Sequence, residues 1–229
     1  MKGCLVAIGI LAGLVIAVIA FFRFSFYDIH VRYRLTVEVQ DGDQVKTGSS
    51  VIDVLYNMEP DWSPSGPHTY DPRIVGYAPT VDLGERGLLF LTFDKTRTPL
   101  YTRERSKQTP CRFGVIGCLP FAAYSKSGIW DDSREMKARF SELLHQSGPR
   151  DVPIAMLPKL ARFLNINDPL SLAPVSPDDL AASFGPGVEL KRVTLQLTDG
   201  PLTPPPEIWP QWLKEKDRWR GTLRGYQND

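Results

Sequence analysis

Histidine and cysteine are scarce, with three of each in 229 residues, and their spacing removes most of the chemistry that would be looked for first. No two cysteines stand at zinc-ligand spacing and no two histidines share a helix turn or a hairpin, so the chain carries no metal signature. The GxSxG elbow of a serine hydrolase, the phosphate-binding P-loop and the dinucleotide fingerprint are all missing. An excess of one charge is missing too: 27 basic residues oppose 26 acidic ones. A general nucleic-acid binder carries a basic surplus to displace counterions from phosphates, so nucleic acid is not an expected partner. From these absences the sequence assigns no catalytic residue, no metal and no cofactor.

What the chain does have is one long apolar run at its start. Cys4 to Phe22 (CLVAIGILAGLVIAVIAFF) holds no charged or strongly polar side chain and is bounded by Lys2 and Arg23. A hydrocarbon core of roughly 30 Å needs about 20 apolar residues at helical rise, whereas the core of a signal peptide is about 7 to 15. The run therefore reads as an uncleaved transmembrane signal anchor that meets the lipid bilayer through residues 4–22. The competing reading is an export signal cleaved at Val18-Ile19-Ala20. Gly9, Gly13 and Ala17 fall four residues apart on one helix stripe, which would let two anchors approach closely as a homodimer; against this, small residues are common in membrane helices anyway.

The division expected from the sequence is an anchor over 1–23, one soluble domain over 24–220 and a flexible tail over 221–229. Twenty prolines and eighteen glycines lie between apolar runs, as in an ordered but loop-rich chain. In HVRYRLTVEVQ the apolar residues alternate from Val31 to Val39, the pattern of a half-buried strand. Asp41-Gly42 then reads as a tight turn into a second strand with Ile52, Val54, Tyr56 and Met58 on one face, and a bulge near Thr47-Gly48 would reconcile Gln44 and Lys46 with that face. A second hairpin is expected around Gly84-Glu85-Arg86-Gly87. Asp131 to His145 has the capping residues and spacing of a helix, Ser176-Pro177-Asp178-Asp179 reads as the start of another, and Ile208, Trp209, Trp212 and Leu213 mark a short amphipathic one. The segment Pro153 to Ile166 leans towards strand, and VELKRVTLQL reads as a strand whose phase slips between Leu190 and Val193. The fold class is α+β: an N-terminal transmembrane helix followed by a β-rich antiparallel domain with a few short helices.

Two stretches offer binding chemistry. The proline-rich loop 59–72 carries Trp62, His68, Tyr70 and Asp71, aromatic faces beside carboxylates that suit a glycan or peptide, although an ordinary loop pinned by buried aromatics has the same composition. Arg103, Arg105 and Lys107 alternate, so an extended chain presents them on one side to anionic headgroups or an acidic partner; a solvated face is the plainer account. Cys111 and Cys118 flank six residues and would close a small disulfide loop in an oxidising compartment, or stay as two buried thiols. His30, at the start of a strand, and His145, in the last turn of a helix, have adequate structural roles.

RLTVEVQDGDQVKTGSSVIDV near the start and FGPGVELKRVTLQLTD near the end together resemble an uncharacterised family of single-pass, membrane-anchored proteins from Gram-negative bacteria. The resemblance implies a membrane-tethered β-rich domain and supplies no activity and no site residues. With the short tail ahead of the anchor and the cysteine pair, it points to the bacterial inner membrane with the domain in the periplasm. The leading expectation is a non-enzymatic envelope interaction or structural domain whose partner is another envelope protein or the cell wall. The rival is a membrane-anchored hydrolase with its site on the 59–72 loop or near the cysteines.

Overall fold

A computed structural model describes residues 2–25, 27–58, 72–93, 114–124, 133–215 and 222–225. Helix α1 (Lys2–Ser25) is followed after one residue by a hairpin of two long strands, β1 (Tyr27–Asp41) and β2 (Gln44–Met58). Period-two alternation determines which side of β1 is buried: Val31, Tyr33, Leu35, Val37 and Val39 are all at most 1% exposed, and the residues between them face outwards. Asp41 pairs with Gln44, so the turn residues are Gly42 and Asp43, one position later than the sequence indicates. The odd-against-even pairing survives that shift, and Ile52 and Val54 lie opposite Tyr33 and Val31 as the alternation requires.

The expected bulge at Thr47-Gly48 does not form, and the β1–β2 register is regular throughout. Gly48 has another role. A Cβ there would lie 2.0 Å from the carbonyl oxygen of Thr80, so glycine is what allows a second layer to approach β2. That layer is a four-stranded antiparallel sheet in the order β4 (Thr80–Asp82), β5 (Leu88–Leu91), β7 (Leu160–Phe163), β8 (Leu172–Val175). The first sheet runs β3 (Arg73–Val75), β2, β1, β9 (Val188–Leu197), β6 (Arg150–Asp151). The phase slip in β9 is a true bulge: Glu38 faces Arg192 and Val39 faces Leu190, which leaves Lys191 as the extra residue.

Two helices cover the inner face of the first sheet, α2 (Gly114–Tyr124) and α3 (Ser133–Leu144). The first was not foreseen: the chain ahead of Cys118 reads as a loop, yet from Gly114 it is helical, with Pro120 inside the helix. Proline has no N–H, so the Ile116 carbonyl four residues earlier loses its helical donor. The Tyr33 hydroxyl takes that place, donating to Ile116 O at 3.0 Å, and the Tyr56 hydroxyl donates to Gly117 O at 2.5 Å. Phe140 of α3 packs edge-on against both Tyr56 and Phe121, at 4.8 Å and 5.1 Å between ring centres. Leu143 is buried as its spacing suggests, whereas Leu144 is exposed.

The C-terminal part closes the structure. Ser176 to Asp179 precede the helix rather than begin it: Asp179 accepts from Ala182 N at 2.9 Å, and helix α4 is the single turn Ala181–Phe184. After β9 the chain crosses the outer face of the first sheet and delivers α5 (Gln211–Glu215) to the second. Trp209 is buried and donates to Thr80 Oγ1 at 2.9 Å, and Leu213 is buried beside it, while Ile208 is exposed rather than inward. The tail is not free along its whole length. Leu223, Arg224 and Gly225 are buried; Leu223 O accepts from Ala78 N at 2.8 Å, and Gly225 N donates to Gly76 O at 2.7 Å. Docking there needs glycine, since a Cβ on Gly225 would meet Ile74 O at 2.4 Å.

Helix α1 stands apart from this core. From Ile10 to Phe21 its large apolar side chains are about half or more exposed, and none joins the core cluster. Among the described residues no helix is long and apolar enough to cross a membrane; in α1 the described side chains run only from Gly9 to Phe21.

Two predictions follow from the layer contacts. Gly48→Ala forces β2 away from Thr80 and should lower unfolding free energy by about 1–3 kcal/mol, read as a reduced denaturation midpoint. Burial, reinforced by Tyr56 for Tyr33 and by Asp53 for Tyr56, holds both phenols well above their ordinary value. The unfolded chain releases those protons from about pH 10 and the folded one does not, so their contribution is whole below about pH 10 and declines above it. Thermal melts between pH 8 and pH 11 should show that decline, and Tyr33→Phe should flatten it while costing about 1–3 kcal/mol at neutral pH through the orphaned Ile116 carbonyl. An alkaline slope identical in the variant would refute the account.

Candidate functional site

The outer face of the β1–β2 hairpin is polar, and at the end nearer α1 it holds a carboxyl that is almost wholly covered. Arg32 and Asp53 are direct cross-strand partners, and His30 lies diagonally across from Asp53. Asp53 Oδ2 receives both neighbours, His30 Nδ1 at 3.1 Å and Arg32 Nη2 at 3.2 Å. The side chain of Asp53 is 6% exposed, against 35% for Arg32 and 54% for His30.

The cover comes from the crossing segment after β9. Thr198 N donates to Arg32 O at 3.1 Å, Arg32 Nη1 donates to Gly200 O at 3.3 Å, and Thr203 Oγ1 accepts from Val51 N at 2.8 Å. The segment is thus fastened to β1 and then to the far edge of β2, lying over Asp53 as it goes. Two buried polar atoms, Asp53 Oδ1 and Arg32 Nε, have no hydrogen-bond partner among the described residues. Buried polar atoms left unpaired are uncommon, and a bound water, ion or ligand is one account of them; Ser50 Oγ and Arg162 Nε are two more such atoms in this protein.

Beside this cluster is a cavity of about 360 Å³, walled by His30, Arg32, Thr198 and Asp199, with Leu144 and Gln146 from the end of α3 and Leu197 completing it. Because Nδ1 of His30 is held by Asp53, Nε2 is the nitrogen left for a ligand. The Thr198 hydroxyl accepts from Gly200 N at 3.1 Å, and among the described residues no serine or cysteine lines the cavity. What the wall presents is charged and hydrogen-bonding groups suited to a polar ligand.

The other hollows have plainer accounts. An open one of about 560 Å³ contains Arg86 and Arg162, which close the carboxyl end of α4. Arg86 Nη1 donates to Phe184 O and Pro186 O, while Arg162 donates to Ser183 O and lies over the Phe184 ring. A smaller one of about 280 Å³ is an apolar groove along Leu157, Leu160, Pro174 and Val175.

Of the residues singled out from sequence, Trp62, His68, Tyr70, Asp71, Arg103, Arg105, Lys107 and Cys111 lie outside the described residues. The two ends of the 59–72 loop are visible: β2 ends at Met58, opposite Tyr27, and β3 begins at Arg73, opposite Leu55. Both are at the α1 end of the hairpin. Cys118 is buried and disulfide-bonded. Gly9 and Gly13 face open space and Ala17 is exposed. His145 donates from Nδ1 to Ser141 O, the structural role expected of it.

Arg32 and Asp53 escaped the sequence reading, which gave His30 a structural role only. The signal was present in the alternation: Asp53 lies between Ile52 and Val54 in an apolar strand, and the hairpin register brings it to His30 and Arg32. No family model matches the chain, and no curated protein or solved structure is detectably similar to it.

Removing the carboxyl should separate the members of this cluster. Asp53→Ala leaves Arg32 without its ion-pair partner under the crossing segment and should cost about 1–3 kcal/mol. His30→Ala, at a half-exposed position, should stay within about 0.5 kcal/mol. Urea denaturation of both variants checks this, and equal effects would mean that Asp53 does not organise the site.

Proposed function

We propose that the protein is a non-enzymatic, membrane-tethered domain of the bacterial envelope that acts by contact, with α1 as a single-pass anchor in the inner membrane and the two-sheet domain in the periplasm. The observation that carries this reading is the surface of α1: apolar on every side, exposed along its described length and unused by the core. Exposed apolar surface of that extent needs a cover, and a bilayer is one that requires no partner of matching shape. The disulfide at Cys118 fits an oxidising compartment, with Cys111 as its expected partner. The resemblance to single-pass proteins of Gram-negative bacteria accords with the same placement.

A second reading, a membrane-anchored hydrolase, is favoured by the His30–Asp53 pair, which has the orientation of a base held by a carboxyl. Among the described residues no serine or cysteine lines the cavity beside the pair, and contact and binding are the leading function proposed. The partner is an envelope protein or the cell wall, and the anchor stripe Gly9, Gly13, Ala17 offers a route to a homodimer.

The tether makes a direct prediction. In native membranes the full chain should stay in the pellet through an alkaline carbonate wash and leave only with detergent. Release by carbonate alone would remove the anchor and, with it, the basis of this function.

A further inference from the structure

We infer that the cavity between the end of α3 and the crossing segment binds a zwitterion in which a phosphate is joined by a short linker to a primary ammonium, the headgroup chemistry of phosphatidylethanolamine. The argument starts from which polar groups on the wall remain unengaged. His30 offers Nε2. Arg32 is one-third exposed and engages Asp53 and Gly200, two acceptors for a group with five donors. The Asp199 carboxylate is exposed and has no partner among the described residues. It is nevertheless held in place, because Thr198 on one side and Gly200 on the other are both hydrogen-bonded to Arg32.

These groups select by charge. A simple anion drawn to the donors that Arg32 has left beyond Asp53 would be repelled by both Asp53 and Asp199. A ligand that also carries an ammonium offsets that repulsion at Asp199 and at the lone pair of His30 Nε2, while its anion still accepts from Arg32. Among the described residues no aromatic side chain lines the cavity, and what they offer an ammonium is the Asp199 carboxylate, to which a primary ammonium can donate and a quaternary one cannot. Leu144 and Leu197 supply an apolar wall where the headgroup joins its glycerol and chains. A volume of about 360 Å³ is in the range of small-ligand sites.

Location identifies the source. His30 is five residues beyond Ser25, the last residue of α1, which is at most about 18 Å of extended chain. The source, though not the zwitterion chemistry, rests on the membrane tether proposed above. Free phosphoethanolamine shares the chemistry and is the control.

The test uses the full chain in dodecyl maltoside, titrated calorimetrically with dihexanoyl phosphatidylethanolamine, its phosphatidylglycerol and phosphatidylcholine counterparts, and free phosphoethanolamine. The ethanolamine lipid should bind saturably and at least about ten-fold more tightly than the other two lipids. Asp199→Asn should bring it down to the glycerol level, and His30→Gln should weaken it too. Equal binding of the three lipids, no saturable binding, or a ranking unchanged in Asp199→Asn overturns the proposal. Free phosphoethanolamine binding as tightly as the lipid overturns the lipid source. The wild-type ranking decides even if a variant misfolds. A chain released from membranes by carbonate that still ranks the headgroups loses the tether and keeps the site; one that stays in the membrane and ranks none loses the site alone.

Discussion

Two tyrosine hydroxyls on neighbouring strands hold α2 to the first sheet, and much of the remaining structure depends on that attachment. Tyr33 and Tyr56 reach the carbonyls of Ile116 and Gly117 from the buried face. Pro120 makes the contact from Tyr33 necessary rather than incidental, since without it a buried carbonyl in the middle of a helix would have no donor. Once α2 is fixed, Cys118, Leu119 and Phe121 are presented to the core. Phe121 and Tyr56 then form two sides of an aromatic cluster completed by Phe140 of α3. Specificity comes from the hydroxyls and cohesion from the rings, because aromatic burial alone would not select which carbonyl lies above each tyrosine.

The second dependency is the C-terminal chain, which joins two sheets that share no strand. It leaves β9, crosses the outer face of the first sheet, and inserts Trp209 between Tyr77 of the β3–β4 connection and Phe90 of the second sheet. Residues 222–225 then return along Gly76 to Ala78, the connection between β3 and β4. Close approach of backbones makes this possible. Gly48 accepts the Thr80 carbonyl and Gly225 accepts that of Ile74, at distances no side chain tolerates. A chain built this way has one core rather than two, consistent with a single buried cluster running from Val31 to Leu223.

Legibility in the sequence followed the range of the forces involved. The hairpin, the β9 bulge, the helix after Asp132 and the buried Trp209 and Leu213 were readable because alternation, capping and helical spacing are local. The α2 helix was not: GVIGCLPFAAY has two glycines and a proline, poor helix formers, and it is helical because Tyr33 and Tyr56, some 60 to 80 residues earlier, supply what its own sequence does not. Thr47-Gly48 was read as a bulge because a glycine in a strand has two causes, and only the approach of Thr80 distinguishes them. The docked Leu223 to Gly225 was not readable either, since three residues carry no periodicity. In the site, Asp53 was visible as an anomaly in an apolar strand, but its burial depends on a segment 150 residues further on, whose path no local pattern records.

That path also explains why the two ends of one polar face differ. Near the turn, Glu38 and Arg192 pair at 2.8 Å across β1 and β9, and the guanidinium, through its hydrogen bond, draws the Glu38 carboxyl below its ordinary value. Among the described residues no segment is fastened across them and Arg192 is more than half exposed, so water screens the pair and it contributes little to the fold. Near α1 the same alternation produces a similar array, Arg32 and His30 around Asp53, but the crossing segment lies on top of it. Desolvation strengthens each contact there and makes each unpaired atom costly. One strand periodicity therefore yields a solvated ion pair at one end and a covered cluster with a cavity at the other. The covered end is the one continuous with α1 and with both ends of the 59–72 loop, so α1 and the polar cavity converge there for a topological reason.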